Sequence, residues 1–143
     1  MKRVFLDSSV LFSALYSSRG FSRDLLLAAA RGEMILVMSQ DVADETRRNL
    51  VEHAPDATHL LWDYFFSTIA MEYVNPTQRQ VRAAARHVAA KDAPIVAAAR
   101  KAKVDMLVTL DKKHLLGKPG LAKYVRADII TPGEAMTRLA KSS

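Results

Sequence analysis

Four acidic residues in this chain have the type and placement to do chemistry together. Asp7 ends the apolar run Val4-Phe5-Leu6, and Asp111 ends a second one, Met106-Leu-Val-Thr-Leu110. Asp92 heads a stripe in which Ile95, Val96 and Ala99 follow at i+3, i+4 and i+7, one inward helical face. Glu45 lies at the edge of a stripe formed by Val42, Thr46 and Leu50. Carboxylates beside a core are costly unless paired, hydrogen-bonded or holding a cation. Several drawn close together cannot all stay ionised without one. With no Cys in the chain and no His at a metal-ligand spacing, the donor set is oxygen, which selects hard divalent ions such as Mg²⁺ or Mn²⁺. Such an ion activates water and neutralises charge on a phosphoryl group undergoing in-line displacement. Ser8 and Ser9 beside Asp7, and Thr109 two residues before Asp111, are placed to orient carboxylates or water around that ion.

For these acids to meet, the elements beneath them must form a parallel sheet. The pattern predicts strands at Arg3–Leu6, Met34–Met38, Ile69–Val74, Met106–Leu110 and Ala127–Ile130. Between them it predicts helices over Val10–Tyr16, Ser22–Arg31, Ser39 or Asp41 to about His53, Ala57–Phe66, Thr77 to about Ala89, and Lys91 to Ala102. A short helix and a final one from Thr131-Pro132 complete the set. Strands alternating with helices imply parallel pairing with right-handed crossovers, and continuous apolar strands imply cover on both faces. The expectation is an α/β fold, a three-layer α/β/α sandwich of Rossmann-like type, as one domain over residues 1–143. In such sheets ligands bind beyond the carboxyl ends of the strands, where Asp7 and Asp111 fall.

Composition narrows the function classes. Lys and Arg number 21 against 15 Asp and Glu, a net charge of +6 and a pI near 9.8, which favours a polyanion partner. The absence of Cys excludes disulfides, thiolate metal sites and a cysteine nucleophile. The basic N-terminus lacks a signal-peptide core, because Asp7 interrupts it. No apolar run approaches the roughly 18 residues a membrane span needs. A cytoplasmic protein with no membrane role is the expectation. A basic protein that collects acids in one crevice follows the logic of a nuclease: the rim attracts phosphates and the acids hold the metal. Lys112 and Lys113, beside Asp111, are the leading candidates for nucleic-acid contacts. Arg82 lies on a second basic stripe with Arg79 and Arg86.

Three segments together resemble a known family. The runs FLDSSVLFSAL, SQDVADETRRNL and KDAPIVAAARKAKVDMLVTLDKKHLL are similar to the PIN domain, including the VapC-type ribonuclease toxins of prokaryotic toxin–antitoxin pairs. The resemblance spans Arg3 to about Pro132. It implies a PIN-like fold, with Asp7, Glu45, Asp92 and Asp111 as an acidic quartet. It also implies metal-dependent hydrolysis of RNA phosphodiester bonds, a cognate antitoxin protein and a homodimer. The chain departs from the family pattern in having Ser8-Ser9 where many members have Thr-Asn. It also has Lys112-Lys113-His114 where some carry a further acid.

Each acid also has an ordinary structural role. Asp7 is suited to a turn, Asp92 to a helix N-cap, and Asp111 to capping a short helix through His114. Asp44 competes with Glu45 for the fourth place. His53, His59, His87 and His114 read as surface residues. Trp62, Tyr64, Phe65 and Phe66 read as core packing, or as an interface. Two rival functions follow. One is a PIN-like module that binds RNA or protein without cutting. The other is a phosphatase of the haloacid dehalogenase type, which needs a second Asp at the position of Ser9.

Overall fold

The computed structural model describes residues 1–141. The chain runs β1 (Arg3–Leu6), α1 (Ser8–Tyr16), α2 (Phe21–Ala30), β2 (Ile35–Met38), α3 (Gln40–His53), α4 (Asp56–Thr68), β3 (Glu72–Tyr73) and α5 (Gln78–Ala84). It continues with α6 (Ala93–Ala102), β4 (Met106–Val108), α7 (Pro119–Val125), β5 (Asp128–Ile130) and α8 (Pro132–Lys141). All strand pairings are parallel, in the order β3-β2-β1-β4-β5. This is the expected α/β sandwich.

Strand β1 lies at the centre because Val4, Phe5 and Leu6 tolerate complete burial. It pairs with β2 on one side, Val4 opposite Leu36, and with β4 on the other, Leu6 opposite Val108. The chain steps outward from β1 to β2 and β3, then returns across the sheet to β4. That reversal opens a crevice beyond the carboxyl ends of β1 and β4. Helix α1 packs with α2, α3 and α4, α2 with α4 and α8, α5 with α6, and α6 with α7 and α3. The alanines of α6 (Ala93, Ala97, Ala98, Ala99, Ala102) are buried. Side chains this small let the helix seat Asp92 close to the sheet edge.

Four expectations need correction. The third strand is only Glu72–Tyr73, because α4 extends to Thr68 and Ile69 closes it as C-cap. A short, exposed strand also suits the edge of a sheet. Helix α5 stops at Ala84 rather than Ala89, since most residues beyond it are exposed and offer no packed face to extend. Strand β4 ends at Val108, which frees Thr109, Leu110 and Asp111 for the crevice. Ser8 and Ser9 form the first turn of α1 rather than a loop before it.

Candidate metal centre at the carboxyl ends of β1 and β4

Asp7 emerges from β1 directly beside β4, its N–H donating to the Val108 carbonyl at 3.2 Å. Its carboxylate is almost wholly buried. Oδ1 accepts the Val10 N–H at 3.2 Å, which makes Asp7 the N-cap of α1, and also the Ser9 hydroxyl at 2.5 Å. Oδ2 accepts the Thr109 hydroxyl at 2.5 Å. Both hydroxyls accept in turn from the loop after β4: Ser9 Oγ from the Leu110 N–H at 3.3 Å, Thr109 Oγ1 from the Asp111 N–H at 3.0 Å. Asp7 is therefore the common acceptor of two relays that fix the backbone carrying Asp111. Burial pushes its carboxyl above the ordinary 3.8, and the bonds from Ser9, Thr109 and Val10 offset part of that rise.

Asp92 occupies the N-cap position of α6 but does not act as a side-chain cap. Its N–H donates to Ala89 O at 2.9 Å and its carbonyl accepts from Val96 at 3.2 Å, so the backbone is satisfied. The residue is 8% exposed, and its Oδ2 is buried without a hydrogen-bond partner among the described residues. No other described side-chain atom stands in that condition. A buried carboxylate oxygen left bare is unfavourable unless a cation meets it.

Asp111 does cap the turn through His114. Its Oδ1 accepts the N–H groups of Lys113 at 3.1 Å and His114 at 2.9 Å. Its Oδ2 stands 3.2 Å from the His114 ring Nδ1. Partial burial opposes the charge, but the His114 N–H and ring and the Lys113 N–H prevail and hold the carboxyl below 3.8. The Lys91 ammonium approaches the same ring nitrogen at 3.4 Å.

Ligating atoms of Asp92, Asp111 and His114 all lie within 4.8 Å of one another. Asp7 is outside this group and joins it through Thr109. Glu45 is exposed on α3, outside the group, and neighbouring Asp44 accepts the Gln40 side-chain amide at 2.9 Å. Ser8 is buried at the head of α1, and it is Ser9 that reaches Asp7. His114 corrects the reading of the histidines as surface residues. It is half-buried and faces the acids, and the Asp-x-x-His spacing, which turns both side chains to one side, is the signal that could have found it. Lys112 and Lys113 are exposed at the rim. Arg82 lines a separate open cavity of about 500 Å³ with Gln40, Asn75 and Pro94, two residues from Asp92. Two carboxylates, one of them with a bare oxygen, and an imidazole are a donor set that fits a hexacoordinate divalent ion with waters completing its shell.

A family model described as PIN domain matches residues 3–113. No curated protein matches the chain. Two solved structures are similar in fold. PAE2754 from Pyrobaculum aerophilum has 17% identity and a TM-score of 0.65, covering 98% of this chain and 90% of that one. FitAcB from Neisseria gonorrhoeae has 15% identity and a TM-score of 0.57, covering 91% and 98%.

Proposed function

This chain belongs to the PIN domain family, and on that premise we propose that it is a metal-dependent endoribonuclease, the toxin component of a type II toxin–antitoxin pair. The observation that carries the reading is the bare, buried Oδ2 of Asp92 beside Asp111 and His114. A folded protein keeps such an oxygen where a cation meets it. Asp92 and Asp111 hold Mg²⁺ or Mn²⁺. Asp7 holds the Asp111 loop in place through Ser9 and Thr109, and its charge adds to the field that retains the ion. Glu45, exposed on the neighbouring helix, is assigned the outermost place of the acidic quartet.

A divalent ion bound there supplies charge neutralisation at the scissile phosphoryl group and lowers the pKa of an attacking water. The remaining work belongs to the chain. Lys112 and Lys113 bind phosphates flanking the scissile bond and bring the backbone to the crevice. Arg82, with Gln40 and Asn75, contacts RNA further along the strand. The net charge of +6 strengthens encounter with RNA. An antitoxin protein and a second copy of the chain are the proposed partners. Among the described residues no helix is long and apolar enough to cross a membrane.

One observation favours the non-catalytic alternative: both oxygens of Asp7 are already engaged by hydroxyls and an N–H. The phosphatase reading has no group to carry it, because Ser9 donates to Asp7 where a general acid is required. The deciding experiment is RNA cleavage with Mg²⁺ or Mn²⁺ by wild type, Asp92→Asn and Asp111→Asn, with EDTA as control. Metal-dependent cleavage by wild type and its loss in both variants supports the enzyme. Metal binding with no cleavage of any RNA tested supports the binding module.

A further inference from the structure

The family pattern builds its metal site from carboxylates, and here a basic run replaces the extra acid. The structure puts an imidazole in that place. His114 Nδ1 lies 3.2 Å from Asp111 Oδ2, and both fall within the 4.8 Å group that includes Asp92. Lys91 Nζ, which can only donate, stands 3.4 Å from the same nitrogen, so Nδ1 lies between an ammonium and a carboxylate oxygen that only accepts. Asp92, a member of the same group, is more than nine-tenths buried and carries one oxygen with no hydrogen-bond partner among the described residues. Two carboxylates and an imidazole gathered this closely, with one carboxylate oxygen unpartnered, define a candidate cation position.

Resting on the metal reading above, we propose that His114 is itself a metal ligand through Nδ1, and that it biases this site toward Mn²⁺ over Mg²⁺. The argument is ligand chemistry. Mg²⁺ prefers oxygen, releases its waters reluctantly and gains little from imidazole. First-row transition ions accept imidazole readily, with Mn²⁺ the weakest binder among them. Replacing a family carboxylate by imidazole also removes one negative charge, which weakens the electrostatic hold on either ion. The net result is a site that discriminates by ligand type rather than by charge. The competing role for His114 is a protonated ring that merely pairs with Asp111, a positioning residue.

Binding separates the two roles without reference to RNA cleavage. Pulsed EPR of the full chain loaded with Mn²⁺ is expected to show hyperfine coupling to a directly bound ¹⁴N, lost in His114→Asp. Calorimetry with Mn²⁺ and Mg²⁺ is expected to show the Mn²⁺ preference falling by roughly tenfold in His114→Asp, equivalent to about 1.4 kcal/mol. The fall comes mainly from tighter Mg²⁺ binding. His114→Asn, which keeps a donor for Asp111, is expected to weaken Mn²⁺ more than Mg²⁺; equal weakening of both ions marks the positioning role and overturns the proposal. Bound Mn²⁺ with no ¹⁴N coupling also overturns it while leaving the nuclease reading standing. Failure of either ion to bind wild type overturns both. Nitrogen-coupled Mn²⁺ in a protein that cuts no RNA upholds this inference and removes the nuclease instead.

Discussion

Thr109 Oγ1 stands 2.5 Å from Asp7 Oδ2 across 102 residues of chain, and accepts the Asp111 N–H at 3.0 Å from its other side. One fully buried hydroxyl thus ties the end of the first strand to the acid that follows the fourth. Thr109→Val keeps the shape and removes the hydroxyl, leaving Asp7 short of one donor and the Asp111 N–H without an acceptor. The expected cost is about 1–3 kcal/mol in denaturant unfolding, the range for stranding buried polar groups. Metal affinity is expected to fall with it, because Asp111 loses its anchor.

Asp7 and Asp111 respond to pH with opposite signs. The folded pKa of Asp7 lies above 3.8, so between 3.8 and that value the folded state binds the extra proton and stability falls as pH rises. The folded pKa of Asp111 lies below 3.8, so its contribution is present above 3.8 and fades as pH falls through the lowered value. Asp7→Asn removes only the first effect. In EDTA, the stability of the variant minus that of wild type is expected to be flat below 3.8, then to move in the variant's favour as pH rises, then to level off. A difference that is flat across the whole range would count against a buried, ionising Asp7.

Asp92→Asn replaces a bare buried carboxylate with a neutral amide of the same shape. Without metal, the variant is expected to be as stable as wild type or more so by about 1 kcal/mol, since a buried unpaired charge is removed. With Mn²⁺ the order reverses. Wild type is expected to gain about 2.7 kcal/mol at a hundredfold excess over Kd, and the variant almost nothing. RNA cleavage by the variant is expected to fall by roughly a thousandfold, the scale for losing one charge-stabilising group. Thermal melts with and without the ion check the pair of signs.

Lys112→Ala and Lys113→Ala are expected to weaken RNA binding without altering metal affinity. If each lysine neutralises one phosphate, the slope of log K against log salt becomes shallower by about 0.7 per residue on single-stranded RNA. Filter binding across a salt series measures it. Glu45→Gln is expected to change Mn²⁺ affinity far less than Asp92→Asn, as its exposed position on α3 implies.

The sheet and the two strand-end acids were legible because local signals sufficed. Val4-Phe5-Leu6 and Met106-Leu107-Val108 read as buried strands from their short apolar runs between helical segments, and a polar residue closing each marks the ligand end. Asp92 was legible through Val96 and Ala99 behind it, both of which are buried. His114 was not, because its meaning depends on Asp92, which approaches it only in the folded chain. Glu45 shows the reverse limit. A stripe at spacings of four places Val42, Thr46 and Leu50 inward, but one residue before Thr46 the helix has turned by about 100° and the side chain faces outward. The short β3 and the early end of α5 were illegible for the same reason. Ile69 and the alanines after Ala84 have the propensity to continue, and only tertiary packing decides that they do not.

The strand order β3-β2-β1-β4-β5 also bears on timing during synthesis. Asp7 is made well before β4, and its place beside that strand stays empty until the segment from Asp92 onward has been made. The donor from Thr109, the bare oxygen of Asp92 and the ring of His114 all arrive with that segment. A ribosome-bound fragment ending before residue 92 holds strands β1 to β3 but not the β4 that forms the other wall of the crevice. On the nuclease reading proposed above, a nascent chain lacking that segment cannot cut the message it is being read from.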